Sequence, residues 1–93
     1  DFINVKDIVQ GLLLPLETDA ADYEPVNLGT GRCISVLEVA ETLIRQLGVD
    51  VAPQVNQQFR AGDIRFCFAD IGKARRLLGF APTVTFEAGM AEL

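Results

Sequence analysis

Apolar residues recur at helical spacing along much of this chain, and short alternating runs separate the helical stretches. Ile8, Val9, Leu12, Leu13 and Leu16 follow Asp7 and predict a helix buried along one wide stripe, with the aspartate as cap or first-turn carboxylate. Pro15 falls inside that pattern and sets a kink or an end near Leu14. A second helix follows Ser35. Ser35 and Glu38 form a capping box, Val36, Val39, Ala40, Leu43, Ile44 and Leu47 repeat behind it, and Gly48 ends the run. Ile71, Ala74, Leu77 and Leu78 predict another amphipathic helix, capped by Asp70 and closed by Gly79. Thr85, with Glu87 in the first turn, starts a last helix from Phe86 that is expected to be still running at Leu93.

Between these lie strand candidates. Phe2, Ile3 and Val5 form a strand-like run, Pro25-Val26-Asn27-Leu28 forms another that feeds Gly29-Thr30-Gly31, and Phe66 to Phe68 alternate. Val49 to Val55 reads as irregular and extended, Thr18 to Glu24 as a surface loop, and Phe80, Pro82 and Val84 as an extended exit. The order gives an α/β chain of about three to four helices with short strands. Asp1 opens without a methionine or a polar lead-in, so the chain reads as entered partway and left partway.

Composition narrows the function. Ninety-three residues, 49% hydrophobic and 23% charged, make one small folded domain that is apolar for its size. Part of that apolar surface is expected to be covered by another subunit or by a further part of the same polypeptide. A net charge of -5 argues against nucleic acid as a partner. Cys33 and Cys67 stand apart with no histidine in the chain, so no metal site is expected, and the thiols read as free and buried or half-buried. No apolar run approaches a membrane span and no secretory signal opens the chain, which reads as cytoplasmic. Without histidine no Ser/His/Asp or Cys/His arrangement can be built, so no catalytic residue is assigned.

Two motifs carry candidate chemistry. Gly29-x-Gly31 before a helix invites a dinucleotide reading, but Ile34 stands where the third glycine belongs, which favours a tight turn and assigns no cofactor-binding residue. Arg60-Ala61-Gly62-Asp63 is different in kind. A guanidinium binds phosphate oxygens through paired donors, a carboxylate accepts from sugar hydroxyls, and the glycine permits the turn that joins them. The alternative is a turn with its own Arg60/Asp63 ion pair, and Arg65 competes as the phosphate partner. Lys73, Arg75 and Arg76 read as a solvated face, and Phe59, Phe66, Phe68 and Phe80 as core.

In order and interval, these pieces resemble the NAD-dependent epimerase/dehydratase family, the extended short-chain dehydrogenase/reductases that act on nucleotide sugars. The resemblance rests on Asp1-Phe2-Ile3-x-Val5-x-Asp7-Ile8-Val9, Asn27-Leu28-Gly29-Thr30-Gly31, Ser35-Val36-Leu37-Glu38, Arg60-x-Gly62-Asp63 and Ala69-Asp70-Ile71-x-Lys73-Ala74 through Leu77-Leu78-Gly79-Phe80-x-Pro82. It implies that residues 1–93 are a single C-terminal, substrate-binding portion of an extended Rossmann-type enzyme. The N-terminal Rossmann domain, with its NAD loop and Tyr-x-x-x-Lys pair, is expected outside this chain, and Tyr23 has Asn27, not lysine, four places on. Carried onto this sequence, Arg60 would contact a phosphate and Asp63 a ribose hydroxyl, while Asp1 to Val5, Phe2 and Asn4 among them, would line the cleft. Asn4 stands where many members have histidine or tyrosine. The implied partners are a nucleotide-sugar substrate, the missing domain and, for the uncovered apolar surface, a second copy as a homodimer. NAD would serve the full-length isomerase or lyase. A non-catalytic module on the same scaffold and an NAD(P)-dependent reductase, an oxidoreductase of non-nucleotide substrates, are the alternatives.

Overall fold

The computed structural model describes all 93 residues, Asp1–Leu93. Four α-helices form, α1 (Val5–Leu13), α2 (Val36–Leu47), α3 (Gly72–Leu78) and α4 (Phe86–Ala91), with a 3-10 turn at Leu14–Leu16 after α1. None is long and apolar enough to cross a membrane.

Helix starts follow local chemistry. Asn4 caps α1 by accepting from the Lys6 N–H at 2.9 Å, and Pro15 ends it, with Leu14–Leu16 tightening to 3-10 geometry. Ser35 and Glu38 close the expected capping box on α2, Oγ accepting from the Glu38 N–H at 3.1 Å and the Glu38 carboxylate from the Ser35 N–H at 2.7 Å. Those bonds from Ser35 hold the Glu38 pKa below its ordinary value. Asp70 accepts from the Gly72 N–H at 2.8 Å, so it serves the start of α3 from one position further out than a cap. Thr85 caps α4. That helix ends at Ala91, where the sequence pattern has it running to Leu93.

The expected short strands do not form. Residues 1–4, 25–34 and 49–70 run as irregular or extended backbone without a ladder. Two causes are visible. Asn4 turns the Phe2–Val5 run into a helix start, and the N–H groups of Thr30, Gly31 and Ala69, which strand neighbours would have taken, all donate to one side chain, the Asp1 carboxylate. Only 35 backbone–backbone hydrogen bonds form, against the roughly 60 expected of a chain this long.

The molecule is a slab of 50 × 31 × 15 Å with a radius of gyration of 16.3 Å, against about 12 Å for a compact domain of this length. Its surface is 7248 Å², whereas a compact monomer of 10.1 kDa exposes about 5,300 Å². Roughly 2,000 Å² is therefore surface that a self-contained domain would have buried. The core is small: Ile34, Ile71, Ala74 and Phe80, with Gly11 and Gly29 admitting close neighbours. At Gly11 a Cβ would lie 2.7 Å from Leu28 Cδ1 and 3.1 Å from Phe80 Cε2, so α1 crosses Leu28 and Phe80 at that point. The stripe of α1 expected to be buried is instead exposed at Val9, Leu12, Leu13 and Leu16, and its inner face is Asp7 and Gly11. Phe59, Phe66 and Phe68 are likewise exposed, leaving Phe80 alone of the expected aromatic core. Cys33 and Cys67 are free, as expected, but both lie at the surface, because their extended segments are uncovered.

Asp7 is the one buried ionisable group, 1% exposed. Its Oδ1 accepts from the Thr83 N–H and the Thr83 hydroxyl, each at 2.8 Å, and its Oδ2 from the Val84 N–H at 3.1 Å. Burial pushes its pKa up, and the three donors more than offset that, so the net value falls below 3.8. The carboxylate thereby fastens α1 to the segment that enters α4.

Candidate functional site

Arg60 to Asp63 form a hydrogen-bonded turn, the Asp63 N–H donating to the Arg60 carbonyl at 3.1 Å. Gly62 sits at φ 92°, a backbone conformation that side chains of L residues resist, so glycine is required for this turn. Arg60 Nε donates to Asp63 Oδ2 at 3.2 Å. The ion pair that the sequence offered as the alternative reading of this turn is therefore present. The pair engages one of five guanidinium N–H donors and one carboxylate oxygen, leaving the terminal amino groups of Arg60 and Oδ1 of Asp63 open to a ligand. With the Arg60 side chain 84% exposed the pair is weak. Arg65, two residues beyond Asp63, is exposed and makes no ion pair.

Phe2 and Asn4 lie elsewhere. They line an apolar groove of about 270 Å³ with Phe86, Gly89 and Met90, and the Phe2 and Phe86 rings meet at 5.8 Å with a 54° tilt. Asn4 Oδ1 is committed to the α1 cap, and a Cβ on Gly89 would stand 3.0 Å from Asn4 Nδ2. The structure brings Phe2 to Asn4 and Arg60 to Asp63, but this groove does not include the second pair.

The Gly29-Thr30-Gly31 turn does not fit a dinucleotide. Its Thr30 and Gly31 N–H groups, the donors a pyrophosphate needs, already point at Asp1, and the carboxylate itself would repel an anion. Gly29 is pressed against Ala69, whose Cβ would lie 2.6 Å from a Cβ at 29. Sequence reasoning missed this role of Asp1, because nothing local to residue 1 reveals partners 29 and 68 positions away.

Arg32 pairs with Glu87 at 3.0 Å and Gln46 donates to the Glu87 carbonyl at 3.1 Å, joining α2 to α4. The N–H of Glu87 itself, then Arg32 and Arg45, lower its pKa. Lys73, read as part of a solvated basic face, reaches Glu24 at 3.0 Å.

The family profile described as GDP-mannose 4,6 dehydratase matches residues 1–93, the whole chain. The chain is 29% identical over 93 residues to the dTDP-L-rhamnose 4-epimerase of Burkholderia thailandensis, covering 100% of this chain and 25% of that one. It is 39% identical over 82 residues to the UDP-glucose 4-epimerase of Bacillus subtilis, 86% of this chain and 24% of that protein. With the UDP-glucuronate 4-epimerase of Thermodesulfobacterium geofontis it shares 34% over 91 residues, 97% and 27% of the respective lengths. No solved structure matches. This chain belongs to the NAD-dependent epimerase/dehydratase family. It spans about a quarter of the length of these curated relatives.

Proposed function

We propose that residues 1–93 form the substrate-binding portion of a nucleotide-sugar epimerase or dehydratase, with Arg60 holding a phosphate of the nucleoside diphosphate and Asp63 a ribose hydroxyl. The observation that carries this reading is the solvated Arg60–Gly62–Asp63 turn, whose open donors and acceptor match those two groups. Relatives named for nucleotide-sugar 4-epimerisation align across the same residues and support it. Phe2 and Asn4 form a second wall.

The cover is a Rossmann domain. Roughly 2,000 Å² of excess surface, together with the exposed Phe66 and Phe68, supports a large partner face where the extended segments gain their ladder. That domain would also hold NAD, which supplies transient oxidation of the sugar. In this arrangement residues 1–93 bind and orient, and the proton and hydride chemistry falls to groups outside them.

Binding should depend on the diphosphate. In the intact protein, UDP, dTDP or GDP is expected to bind at least about tenfold more tightly than the matching monophosphate by calorimetry, since the Arg60 fork gains a charge-assisted contact. Equal affinity for the two would overturn the role given to this turn.

A further inference from the structure

Between Val49 and Phe66 no hydrogen bond other than that of the Val49 N–H to the Ile44 carbonyl leaves the segment; Asn56 bonds Gln58 and Arg60 bonds Asp63, all within it. The stretch that carries Arg60 and Asp63 is therefore tied only at its two ends. Its downstream tie is at Cys67 and Ala69, both on Asp1. The Asp1 backbone nitrogen donates to the Cys67 carbonyl at 2.6 Å, and Asp1 Oδ2 accepts from the Ala69 N–H at 3.2 Å. The same carboxylate accepts from the Gly31 N–H at 2.9 Å on Oδ2, and from the Thr30 N–H at 2.9 Å and the Thr30 hydroxyl at 2.7 Å on Oδ1.

Four donors from two segments thus meet one carboxylate, which saturates its acceptor sites. Gly29 completes the knot: a Cβ there would lie 2.8 Å from Asp1 Oδ2 and 2.6 Å from Ala69 Cβ, so residue 29 must be glycine for the segments to close on the aspartate. The knot lies six residues downstream of Asp63, and the chain between them makes no other side-chain hydrogen bond.

We propose that Asp1 is a positioning residue for the diphosphate site, fixing where the Arg60–Asp63 turn stands without touching the ligand. The inference rests on the reading of that turn as a phosphate site. Asp1→Asn keeps one oxygen for Thr30 but turns an amide donor towards the Gly31 and Ala69 N–H groups, so it unties the downstream end with little change in size.

The test is a double-mutant cycle on the intact protein, with UDP, dTDP and GDP as probes and the tightest taken forward. Asp1→Asn is expected to weaken binding about five- to tenfold, and adding it to Arg60→Ala is expected to cost no more than about twofold beyond Arg60→Ala alone, the share that falls on the Asp63 contact. Asp7→Asn, which destabilises the fold away from this knot, is expected to leave the affinity unchanged. An unchanged affinity in Asp1→Asn, or a loss that adds in full to that of Arg60→Ala, overturns the positioning role. No effect of Arg60→Ala would instead bring down the phosphate reading and this inference with it. If Asp1→Asn does not fold, Thr30→Val removes one of the donors and carries the same cycle, with an expected loss of about two- to threefold and the same two results against it.

Discussion

Asp7→Ala is expected to destabilise the fold by about 3 kcal/mol, measured as a shift in the urea midpoint, because it strands the part-buried Thr83 and Val84 N–H groups and the Thr83 hydroxyl. Hydrogen bonds to a charged acceptor contribute about 1.5–3 kcal/mol each, and partial access of water to Thr83 tempers the sum. A loss of this size is a large share of the roughly 5–15 kcal/mol that holds a typical protein folded. The pH dependence follows from the sign of the shift. A carboxyl whose folded pKa lies below its unfolded value of about 3.8 contributes its stability above that pH, and loses it as pH falls through the lower, folded value. The gap between parent and Asp7→Ala should therefore hold from neutral pH down to about pH 4 and narrow below it. A gap that stays constant to pH 2 would show that Asp7 acts by packing and not as a charged acceptor.

Arg60→Ala carries the largest expected effect on binding. A guanidinium that offers paired donors to a phosphate is worth about 1.5–3 kcal/mol, so nucleoside diphosphate affinity in the intact protein should fall about ten- to a hundredfold. Folding should be untouched, since the exposed Arg60–Asp63 pair contributes little to it. Arg65→Ala is the comparison. It lacks a carboxylate partner and lies beyond the turn, and its removal should cost less than threefold, through loss of long-range attraction alone. Reversal of the two, with Arg65→Ala the larger, would move the phosphate contact to Arg65. Calorimetric titration of both variants beside the parent decides between them.

The helices were legible wherever one residue writes the instruction. Ser35 with Glu38, Pro15, Gly48, Gly79 and Thr85 each act within one turn of chain, and the structure places helix ends at or beside them. The limits of α3 and α4 were less so. Asp70 serves α3 through an outer contact, and α4 closes at Ala91 where apolar spacing alone offers no stop. Strands were illegible for a different reason. Alternation in Phe66–Phe68 and Val26–Leu28 announces a readiness to pair, but a ladder needs a neighbour, and the neighbouring N–H groups are spent on Asp1.

Burial misled in the same way. Leu12, Leu13, Leu16, Phe59 and Phe66 read as core because apolar residues are usually inside, and the slab leaves them at its surface. Of the site, the Arg60–Gly62–Asp63 turn could be read from spacing, down to the glycine that its φ requires. The knot at Asp1 and the lock at Asp7 could not, since their partners lie dozens of residues away and are mostly backbone N–H groups, which nearly every residue offers. Asn4, taken from the family pattern as a cleft residue, carries a duty that the pattern does not show, the cap of α1.

The most direct test of a substrate wall in this chain is amide hydrogen exchange across residues 1–93 of the intact protein, with and without a saturating nucleoside diphosphate. Protection is expected to rise at residues 59–65 and, through the knot, at Ala69 and Gly31, while α2 and α4 stay as they were. Protection confined to other parts of the protein, with 59–65 exchanging at the same rate in both states, would contradict the account.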